Sequence, residues 1–301
     1  MKNCIYTSFN YSYAVKAAIL ARSIKKYNPK WTVVAVITDV RDDTKQEFVD
    51  KHFDLTIFSR ELPIKDYDSL LERYTVVEMC TAVKGEAALA LLNKGYDNVF
   101  YFDPDIEVFS SLTALAAELE FHNVSLTPHC LKPIPDGLNN RVAVIETEVN
   151  ALKYGLYNLG YIGFKNSEEG KRCAQWWADR LAIACVDNTT EGYFTDQKWC
   201  DHIPVFFDRV HVSRDFGRNV ANWNLFERNV TVDSEGRICV NGDLLKFYHF
   251  TKFGPLGFTM TKKYARNNPI VFELWKRYSD QLVELGAERI DYTAPYISSQ
   301  G

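Results

Sequence analysis

Apolar segments of strand-like length alternate with helix-like segments through the first hundred residues. Short apolar runs predict strands, whereas apolar side chains that recur every three to four residues predict helices. The predicted strands are 4–8, 31–38, 53–58 and 98–102, and the predicted helices are 13–27, 43–51 and 70–94. This alternation is typical of an α/β fold in which crossover helices flank a sheet.

The pattern becomes less regular after residue 105. We predict helices at 111–119, 168–185 and 269–285, strands at 124–127, 161–165 and 244–250, and a hairpin turn at Asn241-Gly242. The stretch 128–140 is rich in proline, glycine and asparagine, so we predict an irregular loop there. Because no repeat or clean linker divides the chain, we predict one domain over 1–260, with 261–301 as a C-terminal helical extension packed on it.

The composition is that of an ordinary globular protein, since 47% of the 301 residues are hydrophobic and 25% are charged. The formal net charge is −4 and no basic block occurs, which argues against a nucleic-acid-binding protein. Apolar runs such as 33–37 and 87–92 are far shorter than the roughly 20 residues of a membrane span. With no leader visible behind Met1, we expect a cytoplasmic protein without a transmembrane segment.

The cysteine and aromatic residues are also compatible with an ordinary globular protein. The seven cysteines are scattered without a C-x-x-C pair, which favours reduced thiols over a disulfide framework or a zinc site. Aromatic residues make up 14% of the chain, and we expect most of them, including Trp176-Trp177 on a predicted amphipathic helix, to lie in the core.

Asp103-Pro104-Asp105 is the first candidate for chemistry, because it directly follows the apolar strand 98–102. Two carboxylates one residue apart can face the same cation, and their oxygens suit Mg²⁺ or Mn²⁺. The alternative is a solvated loop, although so apolar a strand is not expected to end in paired charges without a partner. Thr7, Ser8 and Asp39 also follow or end predicted strands, and α/β sheets bind ligands at the carboxyl ends of their strands.

Six short motifs follow one another along the chain: Thr7-Ser8, Lys84, Asp103-Pro104-Asp105, 157–163 (YNLGYIG), Thr195-Asp196-Gln197 and 248–255 (YHFTKFGP). Their order and spacing resemble those of GT-A-type nucleotide-sugar glycosyltransferases, in particular the family-8 enzymes and their bacterial polysaccharide-building relatives. The resemblance covers roughly residues 3–258. It implies a single GT-A type domain, with a Rossmann-like mixed sheet flanked by helices.

The resemblance also implies a metal site. In that family the two aspartates and a late histidine hold a divalent cation, which corresponds here to Asp103, Asp105 and His249 with Mn²⁺ or Mg²⁺. A bound cation and nearby ammonium groups stabilise the charge of a departing nucleoside diphosphate, and Lys252 is expected to contact the same phosphates. The alternative for His249 is a hydrogen-bonded core histidine.

Further residues correspond to a donor site. Lys84 lies on an apolar helix and either meets the ribose or phosphate of the donor or extends to solvent. Thr7, Ser8 and Asp39 are expected around the nucleobase and ribose, although Asp39 also fits a helix or turn cap.

The motif 157–163 contributes a second part of the donor site. Asn158 and Gly160 resemble an asparagine-small-glycine turn ahead of a strand, where the backbone passes close to the donor sugar. Leu159 departs from the small residue that is usual in the family at its position, so the sugar pocket is expected to differ.

Asp196 and Gln197 are the expected catalytic pair. The resemblance places them against the donor hexose and its reactive face, whereas a helix N-cap is the structural alternative for Asp196. Family-8 enzymes retain the anomeric configuration and need no dedicated base. An inverting enzyme would need a carboxylate base, for which Asp196 is the candidate, and the sequence leaves the stereochemistry open.

Three segments suggest contacts beyond the donor. The polar and aromatic segment 209–228, which includes Trp223, suits either carbohydrate or a surface loop. The stretch 128–140 with His129 is a candidate lid on the acceptor side. Phe253, Leu256 and Phe258 are candidates for contact with a bilayer, although no basic amphipathic helix supports it.

The resemblance therefore implies a metal-dependent enzyme that moves a hexose-type sugar from a nucleoside diphosphate, with UDP expected, to a glycan or lipid-linked acceptor. Cell-surface polysaccharide synthesis, in the cytoplasm or at the inner membrane face, is the expected setting. One alternative is a sugar-1-phosphate nucleotidyltransferase, but residues 5–20 contain no glycine for its phosphate loop. The other is a nucleotide-sugar-binding protein without catalytic activity.

Overall fold

The computed structural model describes residues 1–138 and 140–294. Asn139 of the predicted irregular stretch and residues 295–301 of the predicted extension lie outside the described residues.

The elements alternate in chain order as the hydrophobic pattern predicts. Among the described residues, the strands are β1 (Asn3–Phe9), β2 (Thr32–Ile37), β3 (Leu55–Phe58), β4 (Asn98–Phe102), β5 (Ile106–Val108), β6 (Val124–Pro128), β7 (Tyr157–Lys165), β8 (Asp187–Asn188), β9 (Tyr193–Phe194), β10 (Val210–Val212), β11 (Val230–Val232), β12 (Ile238–Val240), β13 (Asp243–Leu244) and β14 (Phe247–His249). The helices are α1 (Ala14–Tyr27), α2 (Asp43–Asp50), α3 (Tyr67–Arg73), α4 (Val76–Ala82), α5 (Lys84–Asn93), α6 (Thr113–Phe121), α7 (Arg141–Val144), α8 (Asn150–Tyr154), α9 (Glu168–Ile183), α10 (Ile203–Phe206), α11 (Pro255–Tyr264) and α12 (Pro269–Glu284).

A seven-stranded mixed sheet in the order β10-β6-β7-β4-β1-β2-β3 forms the centre of the molecule. Strands β1 to β4 run parallel, whereas β7 is antiparallel to both of its neighbours. One face of the sheet packs on α3, α4, α5 and α9, and the other face packs on α1, α2 and α6. The prediction of an α/β mixed sheet flanked by helices is confirmed.

A third apolar cluster joins α11 and α12 to the small sheet β11-β12-β13 and to β14. Its centre is aromatic, with Trp275 stacked on Phe253 at a ring distance of 5.0 Å. Phe253 and Phe258 are buried in this cluster. The prediction that these two side chains approach a bilayer is wrong, because helix α12 covers them. The division of the chain at residue 260 stays a prediction.

Several predicted boundaries are wrong. The helix predicted over 70–94 is three helices, because Tyr74 is extended and Thr75 starts α4 by accepting a hydrogen bond from the Glu78 backbone while Glu78 accepts one from Thr75. The strand predicted over 244–250 divides into β13 and β14. The turn at Asn241-Gly242 is confirmed, with both residues at positive φ between β12 and β13.

The region after the irregular stretch is helical, which the sequence pattern did not predict. Helix α7 continues through a π-helical turn (Ile145–Val149) into α8. Within the described residues, no helix combines the length and the apolar composition that crossing a membrane requires.

Candidate active site

The candidate site lies at the carboxyl ends of β1 and β4, which are parallel neighbours in the sheet. The Ser8 hydroxyl at the end of β1 donates to the Cys80 carbonyl oxygen at 2.6 Å. Beside it, the Tyr101 hydroxyl donates to the Asp103 carboxylate at 2.7 Å. Tyr101 was not predicted, although its position two residues before Asp103 on a strand puts both side chains on one face.

Asp103, Asp105 and His249 form a cluster whose ligating atoms all lie within 4.8 Å of one another. Pairing of β5 with β14 brings His249 opposite Ile106, and the Phe250 amide donates to the Asp105 carbonyl at 2.9 Å. His249 Nε2 lies 3.0 Å from Asp105 Oδ1 and 3.7 Å from Asp103 Oδ2. The alternative of an ordinary core histidine does not explain why an imidazole faces two carboxylates.

The chemistry of this cluster fits a divalent cation. Two carboxylates and one imidazole converge, which is an oxygen-rich set suited to Mn²⁺ or Mg²⁺. Burial alone would lower the pKa of His249, but the charge and hydrogen bond of Asp105, together with the charge of Asp103, outweigh burial and raise it. The two carboxylates therefore stabilise positive charge at the place where a cation would bind.

Lys84 lies beneath the cluster as a buried ion-pair partner. Its ammonium group is 2.7 Å from Asp196 Oδ2 and 3.2 Å from Asp103 Oδ1, and its side chain is 3% exposed. Burial alone would lower the pKa of Lys84, but the two carboxylates outweigh burial and raise it. The alternative that Lys84 extends to solvent is wrong.

Asp196 is buried together with Lys84. Its carboxylate also accepts from the Thr195 hydroxyl at 3.1 Å, and the Trp177 indole donates to its backbone carbonyl at 3.1 Å. Trp177 is fully buried, as predicted for a core residue. The side chain of Asp196 pairs with Lys84 and does not form a helix cap.

Asn158 and Gly160 lie within β7. Their prediction as a turn ahead of a strand is wrong, because β7 begins at Tyr157 and pairs with both β4 and β6. The Asn158 side chain accepts a hydrogen bond from the Gly160 amide at 3.0 Å. The Gln197 side chain accepts from the Leu159 amide at 3.1 Å, which holds this catalytic candidate against the same strand.

Two cavities meet at this edge of the sheet. The smaller one, of about 250 Å³, is lined by Ser8, Tyr13, Cys80, Asp103, Asp105 and His249, among others. The larger one, of about 470 Å³, is lined by His129, Tyr154, Gln197, Trp223 and Lys252, among others. Asn158 and Thr251 line both. Thr251 was not predicted, although its position between His249 and Lys252 was a usable signal.

Of the residues predicted around the nucleobase and ribose, Thr7 and Asp39 line neither cavity. Thr7 is fully buried in β1. Asp39 accepts a hydrogen bond from the Tyr11 amide at 2.6 Å and so holds the turn that leads into α1. Their roles around a nucleobase and ribose stay predictions.

The segment 209–228 is not a surface loop, so that alternative is wrong. Asn219, Asn222 and Asn224 are at most 1% exposed, and Arg218 pairs with Glu118. Trp223 packs edge-to-face against His249 at a ring distance of 5.3 Å.

His129 lies on the other side of Trp223, at a ring distance of 5.6 Å. Burial lowers the pKa of His129 to about 4, so its ring is neutral at physiological pH. A neutral imidazole can both donate and accept hydrogen bonds in the larger cavity. The role of this residue in an acceptor-side lid stays a prediction.

The cysteines, which were predicted to be reduced thiols, are buried or half-buried. All seven lie in the described part of the chain, and none forms a disulfide there.

The amino-acid sequence is similar to two bacterial proteins without an assigned activity. The uncharacterized protein YfnF of Bacillus subtilis (strain 168) is 26% identical over 216 residues, which is 69% of this chain and 68% of YfnF. The uncharacterized protein YfnD of the same strain is 28% identical over 184 residues, which is 60% of this chain and 55% of YfnD. No protein-family model matches the chain.

The fold is similar to those of solved glycosyltransferases. A crystal structure of the galactosyltransferase LgtC with donor and acceptor sugar analogues superposes with a TM-score of 0.53 and 14% identity, over 95% of this chain and 97% of LgtC. The glycosyltransferase GlyE of Streptococcus pneumoniae TIGR4 superposes with a TM-score of 0.51 and 14% identity, over 94% of this chain and 63% of GlyE. The chain therefore has the GT-A glycosyltransferase fold.

Proposed function

We propose that this protein is a metal-dependent glycosyltransferase that moves a hexose-type sugar from a nucleoside diphosphate to a glycan or lipid-linked acceptor. The observation that supports the proposal most directly is the Asp103–Asp105–His249 cluster, which lines the smaller of the two cavities at the carboxyl edge of the sheet. A GT-A fold alone is compatible with many reactions, so the proposal rests on the residues of the cluster and not on the fold.

Asp103, Asp105 and His249 would hold the cation, either Mn²⁺ or Mg²⁺. A divalent cation at this position offsets the negative charge that develops on a departing diphosphate. The Tyr101 hydroxyl and the Lys84 ammonium both contact Asp103, which fixes the orientation of that carboxylate. Lys252 is exposed beside the cluster, in the wall of the larger cavity, and would contact the diphosphate.

The smaller cavity is the proposed nucleotide side, with UDP as the expected nucleotide. Ser8 lines it at the end of β1, and Tyr13 contributes an aromatic side chain that is 40% exposed. Aromatic rings of this kind stack on nucleobases. The larger cavity is then the side of the transferred sugar and the acceptor, where Asn158 and Gln197 offer amide groups to hydroxyls.

The state of Asp196 favours transfer with retention of configuration. A base in an inverting reaction must reach the hydroxyl of the acceptor, either directly or through one water molecule. Asp196 is 3% exposed and its carboxylate is engaged by Lys84. In a retaining reaction, the departing phosphate oxygen accepts the acceptor proton, and Asp196 keeps Lys84 in place beneath Asp103.

Release of UDP from a panel of UDP-hexoses tests the proposal. With Mn²⁺ present we expect slow release without acceptor and faster release with an acceptor glycan or lipid-linked sugar. EDTA should abolish the release, and Asp103→Asn should reduce it at least 100-fold. Asp43→Asn, whose carboxylate is 88% exposed on α2, is the matched control and should behave as wild type.

Thermal unfolding with UDP and Mn²⁺ separates binding from catalysis. A ligand that binds the folded state raises the unfolding temperature, and we expect the rise to require both components together. Binding without release of UDP from any sugar would instead indicate a nucleotide-sugar-binding protein. Wild-type turnover by Asp103→Asn at ordinary metal concentrations would refute the metal assignment.

A further inference from the structure

A continuous series of hydrogen bonds joins the wall of the larger cavity to the His249 ring. At the cavity end, the Gln197 side-chain nitrogen donates to the Tyr154 carbonyl at 2.9 Å. The oxygen of the same amide accepts from the Asn158 side-chain nitrogen at 3.2 Å. The orientation of the Asn158 amide is therefore set by its neighbours.

Asn219 continues this series from Asn158 to the metal site. Its side-chain nitrogen lies 2.9 Å from Asn158 Oδ1 and 3.1 Å from the Thr127 hydroxyl oxygen. With its nitrogen used in this way, the Asn219 oxygen faces His249 Nδ1 at 3.3 Å. A carbonyl oxygen only accepts hydrogen bonds, so this contact requires a proton on Nδ1 of the ring.

The consequence concerns the other nitrogen of the ring. The other nitrogen, Nε2, faces Asp103 and Asp105. Without a cation Nε2 is protonated and donates to Asp105, whereas a bound cation would replace that proton and leave the ring as the Nδ1-protonated tautomer, with its lone pair on Nε2. A metal-binding histidine needs this tautomer, and the partner of its second nitrogen commonly fixes it. Asn219 is the residue in that position here.

The backbone of Asn219 explains why this residue type fits. Its φ is 48°, in the left-handed region that asparagine and glycine tolerate better than most residues. The Asn224 side chain donates to the Asn219 carbonyl at 3.0 Å, and Asn219 is 1% exposed. Both ends of the residue are held, so the amide cannot easily turn away from His249.

We propose that Asn219 is a positioning residue that fixes the tautomer and ring orientation of His249 for cation binding. The proposal rests on the metal site of the proposed function, but it does not require that the protein transfers a sugar. Loss of such a partner typically weakens metal binding 10- to 100-fold, and we expect a change of about that size here.

Asn219→Gly tests the proposal, because glycine removes the amide while suiting the left-handed backbone. In the metal-free protein, at a pH above the raised pKa of His249 where the ring is neutral, its ¹⁵N shifts should move towards the Nε2-protonated tautomer, with His249→Gln assigning the signal. Mn²⁺ affinity measured by electron paramagnetic resonance should fall about 10- to 100-fold.

Two further variants make the result specific. Asn219→Asp keeps an oxygen that accepts from Nδ1, so it should keep the Nδ1-protonated ring. If the glycine variant does not fold, loss of the Nδ1 proton in a folded Asn219→Asp protein would overturn the proposal. Asn222→Ala removes a buried amide from the same segment and should leave the tautomer unchanged. A wild-type tautomer and wild-type Mn²⁺ affinity in a folded Asn219→Gly protein would overturn the proposal. Changed ring shifts in a protein that transfers no sugar would leave it standing and refute only the proposed activity.

Discussion

At the scale of single residues, Gly160 occupies the space directly beside the His249 ring. A Cβ atom built on Gly160 would lie 2.6 Å from His249 Nδ1 and 2.8 Å from Asn158 Oδ1. A Cβ atom does not approach other non-bonded heavy atoms so closely, so both side chains would have to move. The glycine is therefore required by the position of the histidine and not by its own backbone angles.

Gly160→Ala is expected to weaken Mn²⁺ binding at least tenfold and to destabilise the fold by about 1 to 3 kcal/mol, as overpacking typically does. Calorimetric titration with Mn²⁺ measures the change in affinity, and urea unfolding measures the change in stability. Gly137→Ala is the control, since nothing lies within 4 Å of the added methyl group. Unchanged Mn²⁺ affinity in Gly160→Ala would show that the ring of His249 can shift without loss.

The three residues of the candidate metal cluster were predicted from the sequence, but the residues that hold them in place were not. Asp103 and Asp105 were predictable because paired charges directly follow an apolar strand. The ion pair between Lys84 and Asp196 was not, because it joins residues far apart in the chain and depends on where α5 meets the turn that follows β9. Asn219 was not singled out, since an asparagine in a polar segment has no local pattern that indicates a buried partner.

At the scale of elements, α5 and α9 cross at very short range on one face of the sheet. A Cβ atom on Gly85 would lie 2.6 Å from the Ala178 Cα and 2.7 Å from its backbone nitrogen. Gly85 is next to Lys84, so the close crossing also decides how deeply that ammonium group is buried. A glycine inside a helix weakens the helix by about 1 kcal/mol, and the packing explains why it is present here.

Gly85→Ala is expected to destabilise the protein by about 1 to 3 kcal/mol, although alanine has the higher helix propensity. The reason is that the added methyl group meets backbone atoms of α9, which cannot rotate away. The midpoint of urea unfolding measures the effect, with Gly137→Ala again as the control. A gain in stability for Gly85→Ala would mean that the two helices separate readily.

The elements themselves divide into predictable and unpredictable ones. Strands β1, β2 and β4 were predictable because parallel strands buried on both faces read as short apolar runs. The break at Thr75 was not predicted, because the apolar spacing continues across it and the capping residue decides where the helix starts. The pairing of β5 with β14 was also missed, since two three-residue strands carry too little pattern.

At the scale of the whole molecule, the C-terminal helix α12 packs directly against the strand that provides His249. Trp275 is 1% exposed, and its indole nitrogen donates to the Tyr248 hydroxyl at 3.3 Å. Tyr248 directly precedes His249 of the candidate metal cluster. The C-terminal helix and this cluster therefore share one core, and we expect them to unfold together.

Trp275→Ala is expected to cost about 3 to 5 kcal/mol, as removal of a large buried aromatic side chain does. Calorimetry should show one transition at a lower temperature, with Mn²⁺ affinity reduced in the folded protein. Lys276→Ala, whose side chain is 63% exposed on the same helix, should change neither. Two separate transitions would indicate that the segment after residue 260 unfolds by itself.

Because His249 lies on β14 and the aspartates lie next to β5, the pairing of these two strands also determines when the candidate cation site is completed during synthesis. Asp103 and His249 are separated by about 150 residues, which a ribosome adds in roughly 7 to 30 s. During that interval the aspartates have emerged without their histidine, so the growing chain lacks the complete cation site. Binding of the cation through all three residues must therefore come late, after most of the sheet has been made.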